Sequence, residues 1–310
     1  MEVMHVAVTG GAGFIGSHSV RELLARGHRV TAIDDLSHGR REALPAEAPL
    51  HVLDVRSPEL ATLFRELRPD AVLHLAAQMD VRRSMADPLF DASVNVLGTV
   101  STLQAAAGAG VRRFVFASSG GAIYGEQETF PAREDHPRRP TSVYGVSKLC
   151  GEEYLLLYGR KLSALALRYA NVYGPGQDPH GEAGVVAIFL EKLLSGAEPV
   201  VNGDGGQTRD YVHVSDVARV NALALESAVQ GTLNVGTARE TSVLDLIRQL
   251  SSLTGVTRPF RHGPAQPGEQ RRSAIDPAAA LAQLGWRPSV ELEQGLAETA
   301  RWFASRRAAR

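Results

Sequence analysis

Short apolar segments alternate with longer segments of helical periodicity through the first two thirds of this 310-residue chain. Such alternation is typical of parallel strands joined by crossover helices, and it predicts an α/β fold built on a doubly wound parallel sheet. The predicted strands are residues 6–9, 29–34, 50–54, 71–76, 113–118 and 164–169. The predicted helices between them are residues 17–26, 58–67, 92–109 and 143–158.

The pattern changes after Gly174, where a stretch rich in proline and glycine predicts the start of a second, smaller α/β region. Further helices are predicted at residues 185–195, 214–227, 243–253 and 292–305, and a short strand at residues 233–235. We expect residues 1–170 to form a first domain, which a return segment at residues 212–238 rejoins. Residues 171–211 and 239–310 are expected to form a C-terminal domain that binds substrate.

The composition excludes several classes of protein. Apolar residues make up 44% of the chain, charged residues 22%, and the net charge is −1, which is typical of a soluble globular protein without a basic surface for nucleic acid. No apolar run approaches the ~18 residues of a membrane span, and the amino terminus shows no signal-peptide pattern, so we expect a cytoplasmic protein with no membrane partner. The single cysteine, Cys150, excludes an internal disulfide and a cysteine-based metal site, and no metal is expected.

The segment TGGAGFIG at residues 9–16 lies directly between the first predicted strand and the first predicted helix. Its Gly11, Gly13 and Gly16 have the GxGxxG spacing of a dinucleotide-binding loop. Glycines at these positions permit a tight turn and close approach of the backbone to a pyrophosphate, and the helix amino terminus offers N–H groups to the phosphates. The sequence therefore predicts that residues 1–170 form a Rossmann domain that binds a dinucleotide.

Asp34 ends the second predicted strand, 18 residues after Gly16. A carboxylate at this point accepts hydrogen bonds from the adenosine ribose hydroxyls and repels a 2′-phosphate, which favours NAD over NADP. Arg40 and Arg41 follow closely and leave NADP open as an alternative. Asp54, at the end of the third predicted strand, is a candidate either for the adenine amino group or for a loop cap.

Tyr144 and Lys148 are four residues apart in a predicted helix, which places both side chains on one face. Lowering the pKa of a tyrosine from about 10 by roughly three units requires ~4 kcal/mol of preferential phenolate stabilisation. An ammonium group ~4 Å away supplies about that much at an effective dielectric constant of ~20. Only three lysines stand among the 33 cationic residues, so a lysine here is an unusual choice. We predict that Lys148, with a bound nicotinamide cation adding to its effect, makes Tyr144 acidic enough to act as a base.

Ser118 and Ser119 end the fifth predicted strand, at the sheet edge where open α/β proteins bind ligands. Either hydroxyl is a candidate to relay or orient a substrate proton, and the alternative is a strand-ending turn before Gly120. His74 lies in a buried strand pattern and Cys150 in a helix, and we expect both to be packing residues.

Several segments together resemble the extended short-chain dehydrogenases, and specifically the NAD-dependent epimerase/dehydratase family. They are TGGAGFIG at 9–16, Asp34, HLAA at 74–77, ASSGGAIYG at 117–125, YGVSK at 144–148, RYANVYGPGQDP at 168–179 and RDYVHVSD at 209–216. The resemblance covers nearly the whole chain. It implies a tightly held NAD and C4 epimerisation of a UDP-hexose, with UDP-glucose and UDP-galactose as the substrates. It also implies a homodimer through the helices near residues 92–109 and 143–158.

The resemblance also assigns roles. It implies that Tyr144 is the base at the sugar 4-hydroxyl, Lys148 its electrostatic partner and a ligand of the nicotinamide ribose, and Ser119 the hydroxyl that assists proton transfer. Relatives often have one residue fewer before Tyr124, which leaves Ser118 as an alternative. The residues implied at the cofactor are Gly10, Gly11, Gly13, Phe14, Ile15, Gly16, Asp34, Asp54, Val55, Leu75, Ala76, Ala77, Asn95, Tyr144, Lys148 and Tyr169. Those predicted at the substrate are Asn171, Arg209, Glu269, Arg82 and Ser273, the first two at the UDP phosphates.

The chain departs from the family pattern at four positions. Gln266 stands where relatives commonly have a phosphate-binding arginine, and Glu269 where they have an aspartate at the uridine ribose, so we expect reduced nucleotide affinity. Gly176 also stands where many relatives have arginine. Ser273 occupies the place of a bulky residue in some relatives, and its small side chain leaves room for an N-acetyl group.

Other functions stay open at this point. UDP-N-acetylglucosamine is an alternative substrate, and UDP-glucuronate is another, because Arg82 and Arg83 follow the fourth predicted strand and can pair a carboxylate. A 4,6-dehydratase needs titratable groups after the catalytic hydroxyl, where this chain has Gly120 and Gly121. A non-catalytic NAD-binding protein is disfavoured by the retained tyrosine, lysine and serine.

Overall fold

The structure, a computed structural model, describes residues 2–180, 184–256, 258–265 and 270–308. The strands are β1 His5–Thr9, β2 Arg29–Asp34, β3 Leu50–Val52, β4 Ala71–His74, β5 Arg113–Ser119, β6 Ser163–Tyr169, β7 Asn171–Tyr173, β8 Val200–Asn202, β9 Thr208–Arg209, β10 Tyr211–His213, β11 Gly231–Val235, β12 Thr241–Ser242 and β13 Arg261–Gly263. The helices are α1 Phe14–Ala25, α2 Glu59–Leu67, α3 Val81–Ala86, α4 Pro88–Ala92, α5 Gly98–Gly108, α6 Gly120–Ile123, α7 Val143–Tyr158, α8 Val185–Ser195, α9 Val214–Glu226, α10 Val243–Thr254, α11 Ala278–Leu284 and α12 Leu292–Ala308. A 3₁₀ helix lies at Arg41–Ala43 and a π-helix at Ser93–Leu97.

Seven strands form one parallel sheet in the order β11-β6-β5-β4-β1-β2-β3. Because β1 pairs with β2 on one side and with β4 on the other, the strand order reverses between β1 and β4. Open α/β sheets bind ligands at the carboxyl ends of the strands beside such a reversal. The predicted α/β fold with a doubly wound parallel sheet is therefore confirmed.

Helices cover both faces of this sheet. All five residues of β1 are buried, as expected for a parallel strand with helices on either side. One core cluster joins the sheet to α1 and α9 and contains Val20 and Val217. A second cluster joins it to α2 and α5 and contains Leu60 and Leu103. The rigid sheet edge that results carries the site.

The observed helices agree with the predicted ones at some ends and differ at others, because caps and turns next to a helix decide where it begins. Helix α7 begins at Val143 as predicted, because the Ser142 side chain caps it and accepts a hydrogen bond from the Gly145 N–H at 3.1 Å. Helix α1 begins at Phe14, before the predicted start at residue 17, because the glycine turn leads straight into it. The helix predicted at residues 92–109 is interrupted by the π-helix.

The chain leaves the seven-stranded sheet after β6 and returns to it at β11. Strand β11 pairs with β6, with Val235 opposite Tyr169, and α9 packs against α1. Helices α8, α10 and α12 form a third core cluster that contains Phe189, Leu246 and Phe303. In the part of the chain that the structure describes, no helix has the length and apolarity to span a bilayer.

Candidate active site

A cleft of about 530 Å³ opens at the carboxyl ends of β1, β2, β4 and β5, beside the reversal of strand order. The predicted site residues that line it are Gly10, Gly13, Phe14, Ile15, Gly16, Asp34, Asp54, Val55, Leu75, Ala76, Ala77, Ser118, Ser119, Tyr144, Lys148, Tyr169 and Asn171. The sheet edge therefore brings the glycine turn and the tyrosine–lysine pair into one cleft.

The glycine turn has the shape of a phosphate cradle. Gly10 has a φ of +67°, and a Cβ there would lie 2.7 Å from the Ala76 backbone nitrogen. A Cβ on Gly16 would overlap the Gly10 carbonyl oxygen, so side chains are excluded at both positions. On Gly13 the nearest atom to such a Cβ, at 3.2 Å, is again the Gly10 carbonyl oxygen, and the cleft side is open. The turn therefore fits a dinucleotide pyrophosphate at the amino end of α1.

Asp34 is buried at the carboxyl end of β2, and two backbone groups fix its orientation. The Ala12 N–H donates to Oδ2 and the Leu36 N–H to Oδ1, both at 2.9 Å. Burial raises the pKa of this carboxyl, and these backbone hydrogen bonds oppose the rise. Arg40 and Arg41 are not among the cleft-lining residues of the described chain. The local geometry therefore fits a ribose with a free 2′-hydroxyl.

Asp54 lines the cleft and also caps its own loop. Its Oδ1 accepts hydrogen bonds from the Arg56 backbone N–H at 2.8 Å and from Arg56 Nε at 2.9 Å. These bonds hold the pKa of Asp54 below its usual range. Asp54 therefore caps its loop and also faces the cleft, where an adenine amino group could reach it.

Tyr144 and Ser119 form the reactive end of the cleft. The Ser119 side chain lies near enough to the Tyr144 hydroxyl to lower the pKa of the phenol. Ser118 instead donates to Glu152 Oε1 at 2.6 Å, and that carboxylate also accepts a hydrogen bond from Arg168 Nε at 2.9 Å. Ser119 thus lies beside the phenol, whereas the Ser118 hydroxyl is engaged by Glu152, which favours Ser119 as the relay.

Lys148 is buried on the same face of α7 as Tyr144. Its Nζ donates to the Ala117 carbonyl at 2.9 Å and lies 5.7 Å from the centre of the Tyr144 ring. Burial lowers the pKa of Lys148 to about 8, against an opposing effect of the Asp91 charge. The ammonium form therefore predominates at neutral pH, with the amine accessible in mildly basic solution.

In the protein without ligands the pKa of Tyr144 lies above its usual value, so the predicted acidification depends on what binds in the cleft. Burial raises the pKa of the phenol, the negative charge of Asp91 raises it further, and the neighbouring Ser119 side chain lowers it. The simple pairwise estimate from Lys148 omitted the desolvation of the phenolate, which dominates here.

Two predicted cofactor residues lie behind the cleft and do not line it. Asn95 is buried in the π-helix, where Nδ2 donates to the Gln78 carbonyl at 2.8 Å and its Oδ1 accepts the Gln78 N–H at 2.8 Å. A Cβ on Gly11 would meet the Ala32 side chain at 2.8 Å, so this glycine permits close packing of the turn on β2. Tyr169 does line the cleft, but its hydroxyl donates to Asn221 Oδ1 at 2.6 Å. Asn95 and Gly11 therefore support the cleft wall in this structure, and their contact with a cofactor stays a prediction.

The predicted substrate residues are dispersed. Asn171 is exposed in the cleft, whereas Arg209 is half-buried outside its lining and its Nη1 donates to the Gln270 carbonyl at 2.9 Å. Ser273 is buried and does not line the cleft, so the room it was predicted to leave for an N-acetyl group stays a prediction. Arg82 is exposed outside the cleft, and its neighbour Arg83 lines it instead. Gln266 and Glu269 lie outside the described residues.

Some cleft residues escaped sequence reasoning. Gln78 follows the HLAA segment, which begins at the last residue of β4. Its position at the carboxyl edge of the sheet could have identified it as a cleft residue from the sequence. Phe90 and Val94 carry no such signal, because they reach the cleft through the interrupted helix. Arg83 stacks on Phe90, with its guanidinium carbon 4.1 Å from the ring centre.

Comparison with known proteins agrees with this geometry. The model of the NAD dependent epimerase/dehydratase family matches residues 6–236. The chain belongs to this family.

Known members of this family match the chain over nearly its whole length. It is 45% identical to the UDP-glucose 4-epimerase of Mycolicibacterium smegmatis, over 98% of this chain and 99% of the relative. The crystal structure of UDP-glucose 4-epimerase with UDP-glucose from Thermotoga maritima superposes with a TM-score of 0.95 at 43% identity, covering 98% of this chain and 99% of that one. The Thermus thermophilus UDP-glucose 4-epimerase complex with NAD gives a TM-score of 0.93 at 46% identity, covering 97% and 99%.

Proposed function

We propose that this protein is an NAD-dependent C4 epimerase that interconverts UDP-glucose and UDP-galactose. The observation that carries the proposal is the meeting of Tyr144, Ser119 and Lys148 in the same cleft as the glycine turn. Relatives with the name UDP-glucose 4-epimerase match nearly the whole chain, and solved relatives carry NAD or UDP-glucose.

The residues present fit NAD. Gly13 and the amino end of α1 would hold the pyrophosphate, Asp34 the adenosine ribose, and Lys148 the nicotinamide ribose. When bound, NAD supplies the reversible oxidation of the sugar carbon and a positive ring charge beside the phenol.

The chain's own side chains move the proton. Tyr144 removes the proton of the 4-hydroxyl as C4 is oxidised and gives it back as the epimeric alcohol forms. Ser119, which lies beside the phenol, links it to the sugar hydroxyl. The Lys148 ammonium uses one donor on the Ala117 carbonyl and stabilises the phenolate by its charge. Burial raises the pKa of Tyr144. The phenolate therefore forms only when the Lys148 ammonium and the positive ring of bound NAD are both beside it.

The substrate nucleotide is assigned to the smaller region. Asn171, exposed in the cleft, and Arg209 are proposed to bind the UDP phosphates. Glu269 is proposed near the uridine ribose, with Gln266 replacing the usual arginine and weakening nucleotide binding. A uronate substrate is not favoured, because Arg83, the arginine of that pair that lines the cleft, stacks on Phe90.

The chemistry of the residues after Ser119 opposes a dehydratase. Gly120 and Gly121 open the short helix α6 and have no titratable group for the loss of water. Water elimination from a sugar requires both a base and an acid, and glycines provide neither.

We propose that the chain divides as the sequence predicts, with residues 1–170 and 212–238 binding NAD and residues 171–211 and 239–310 binding the UDP-sugar. The pairing of β11 with β6 supports this division. A cytoplasmic location is also proposed, and the single cysteine is compatible with a reducing compartment. Cell fractionation tests the location.

We also propose a homodimer. Apolar side chains stand exposed along α4, the π-helix and α7, which pack on each other. They include Leu89, Leu97, Leu156 and Leu157, of which Leu156 is 72% exposed and Leu157 71%. A second copy of this face would bury these leucines, and isolated apolar patches of this kind mark interaction surfaces.

The test is conversion of UDP-galactose followed by proton NMR. We expect C4 inversion to UDP-glucose without net NADH, and a loss of roughly 100-fold or more in kcat in Tyr144→Phe. Ser119→Ala and Ser118→Ala form a matched pair, and only the first should lower kcat strongly at unchanged NAD affinity. Activity on UDP-glucuronate or UDP-N-acetylglucosamine alone would change the substrate, and no inversion of any UDP-sugar would reject the function.

A further inference from the structure

A buried carboxylate lies behind the tyrosine–lysine pair. Asp91, in α4, is completely buried and accepts three side-chain hydrogen bonds. Ser147 Oγ donates to its Oδ2 at 2.6 Å, while Asn95 Nδ2 at 2.9 Å and Gln78 Nε2 at 3.0 Å donate to its Oδ1. This single side chain therefore joins the loop after β4, the π-helix and α7.

The orientations of both amides are fixed by backbone N–H groups. The Asn95 Oδ1 accepts the Gln78 N–H at 2.8 Å, and the Gln78 Oε1 accepts the Asp80 N–H at 2.6 Å. A flipped amide would turn an NH₂ group toward a backbone donor, so each amide must present N–H to Asp91. Two amide N–H groups of fixed orientation and the Ser147 hydroxyl surround the carboxyl among its described contacts, an arrangement that stabilises a negative charge there.

This negative charge lies close to both reactive side chains. Ser147 immediately precedes Lys148, and the Asp91 charge raises the pKa of both Lys148 and Tyr144. Of the other groups that face Lys148, His74 on β4 is neutral, because burial lowers its pKa to about 3.

Other charges near α7 are held in ion pairs, including that of exposed Arg138 with Glu153 on α7 at 2.7 Å. Arg168 on β6 forms a buried pair with Glu152 on α7, with Nη2 and Oε2 2.7 Å apart. Asp91 is thus the buried charge to which the ammonium responds within the described residues.

We propose that Asp91 is a positioning residue of the site: its buried carboxylate fixes the face of α7 that carries Tyr144 and Lys148 and serves as the counter-charge of the Lys148 ammonium. The inference rests on the proposed function for the roles of those two side chains, but its first test does not require catalysis.

The three lysines of the chain make a direct test practical. The full-length protein is labelled with ¹³Cε-lysine, freed of nucleotide, and titrated by NMR, with Lys148→Arg used to assign the signal. We expect the Lys148 midpoint near pH 8 in the parent protein. In Asp91→Asn the midpoint should fall by about one pH unit, which corresponds to the loss of ~1.4 kcal/mol of charge–charge interaction.

Asp87→Asn is the matched control, since it removes the same charge from the exposed amino end of the same helix and keeps a side chain that caps it. The Lys148 midpoint should not move in this variant. An unchanged midpoint in folded Asp91→Asn, or an equal shift in Asp87→Asn, overturns the proposal. Asp91→Ser replaces Asp91→Asn if that variant does not fold, and failure of both to fold means a purely structural role and also overturns it.

Kinetics separate this proposal from the function on which it rests. In Asp91→Asn the pH profile of kcat should move to lower pH, whereas a merely structural loss would lower its height without moving it. An NMR shift in a protein that inverts no UDP-sugar would reject the proposed function and leave the Asp91–Lys148 interaction standing.

Discussion

Replacing Asp34 by asparagine tests the cofactor end of the cleft, because the structure sets the size of the effect. Both carboxylate oxygens of Asp34 accept a backbone N–H, from Ala12 and from Leu36. An asparagine has one acceptor oxygen, so in either orientation its NH₂ group faces a backbone donor. An unsatisfied buried donor costs ~1–3 kcal/mol. Without ligand the loop relaxes toward water, and NAD binding must reverse that relaxation, so the cost appears in affinity.

Loss of the charge-assisted bond to ribose adds about 1 kcal/mol. Together these effects predict that Asp34→Asn raises the NAD dissociation constant roughly 30- to 1,000-fold, measured by titration calorimetry on nucleotide-free protein. Asp35→Asn is the control, because it makes the same change at the neighbouring residue. There Oδ1 alone accepts the hydrogen bonds from the Ser37 N–H and hydroxyl, and an asparagine oxygen can accept both. Its effect should stay within about threefold. Equal effects of the two substitutions, or no effect of Asp34→Asn, would refute the reasoning.

Three further predictions concern charge, stability and assembly. Because burial lowers the pKa of Lys148 to about 8, its ammonium is present at pH 7 and mostly lost at pH 9, so NAD binding should weaken about tenfold over that range, and calorimetry at both pH values checks it. Glu152→Gln removes the negative partner of buried Arg168 and should lower the free energy of unfolding by ~3–5 kcal/mol in urea denaturation; a loss below about 1 kcal/mol would contradict the buried pair. Leu156→Asp should give a monomer in light scattering, while Leu253→Asp on α10 should leave the dimer intact, and a monomeric parent protein would remove the prediction.

Local sequence predicted the parts of the site that depend on a short stretch of chain. The glycine turn and the shared face of Tyr144 and Lys148 follow from spacing within one turn and one helix. Both are found in the structure as predicted. The strand ending at Asp34 was also predicted with its observed limits, since a buried apolar segment leaves little choice of boundary.

Contacts between residues that are far apart in the sequence could not be predicted from it. Neighbouring serines ended β5, but only the contact of Ser118 with Glu152, 34 residues later, shows which hydroxyl is engaged elsewhere. Arg82 and Arg83 differ by one helical step, and the packing of Arg83 on Phe90, seven residues later, shows which of them lines the cleft. The pKa of Tyr144 depends on burial and on Asp91, and neither is visible from the spacing of two residues.

The most direct test of the account follows the hydrogen on the sugar carbon itself. UDP-galactose carrying deuterium at C4 is incubated with the protein in ordinary water, and the UDP-glucose produced is examined by mass spectrometry and NMR. If that carbon is oxidised and reduced within one closed site, the deuterium stays at C4 of the product. Loss of the label to solvent, or inversion that proceeds equally well in Tyr144→Phe, would contradict the account.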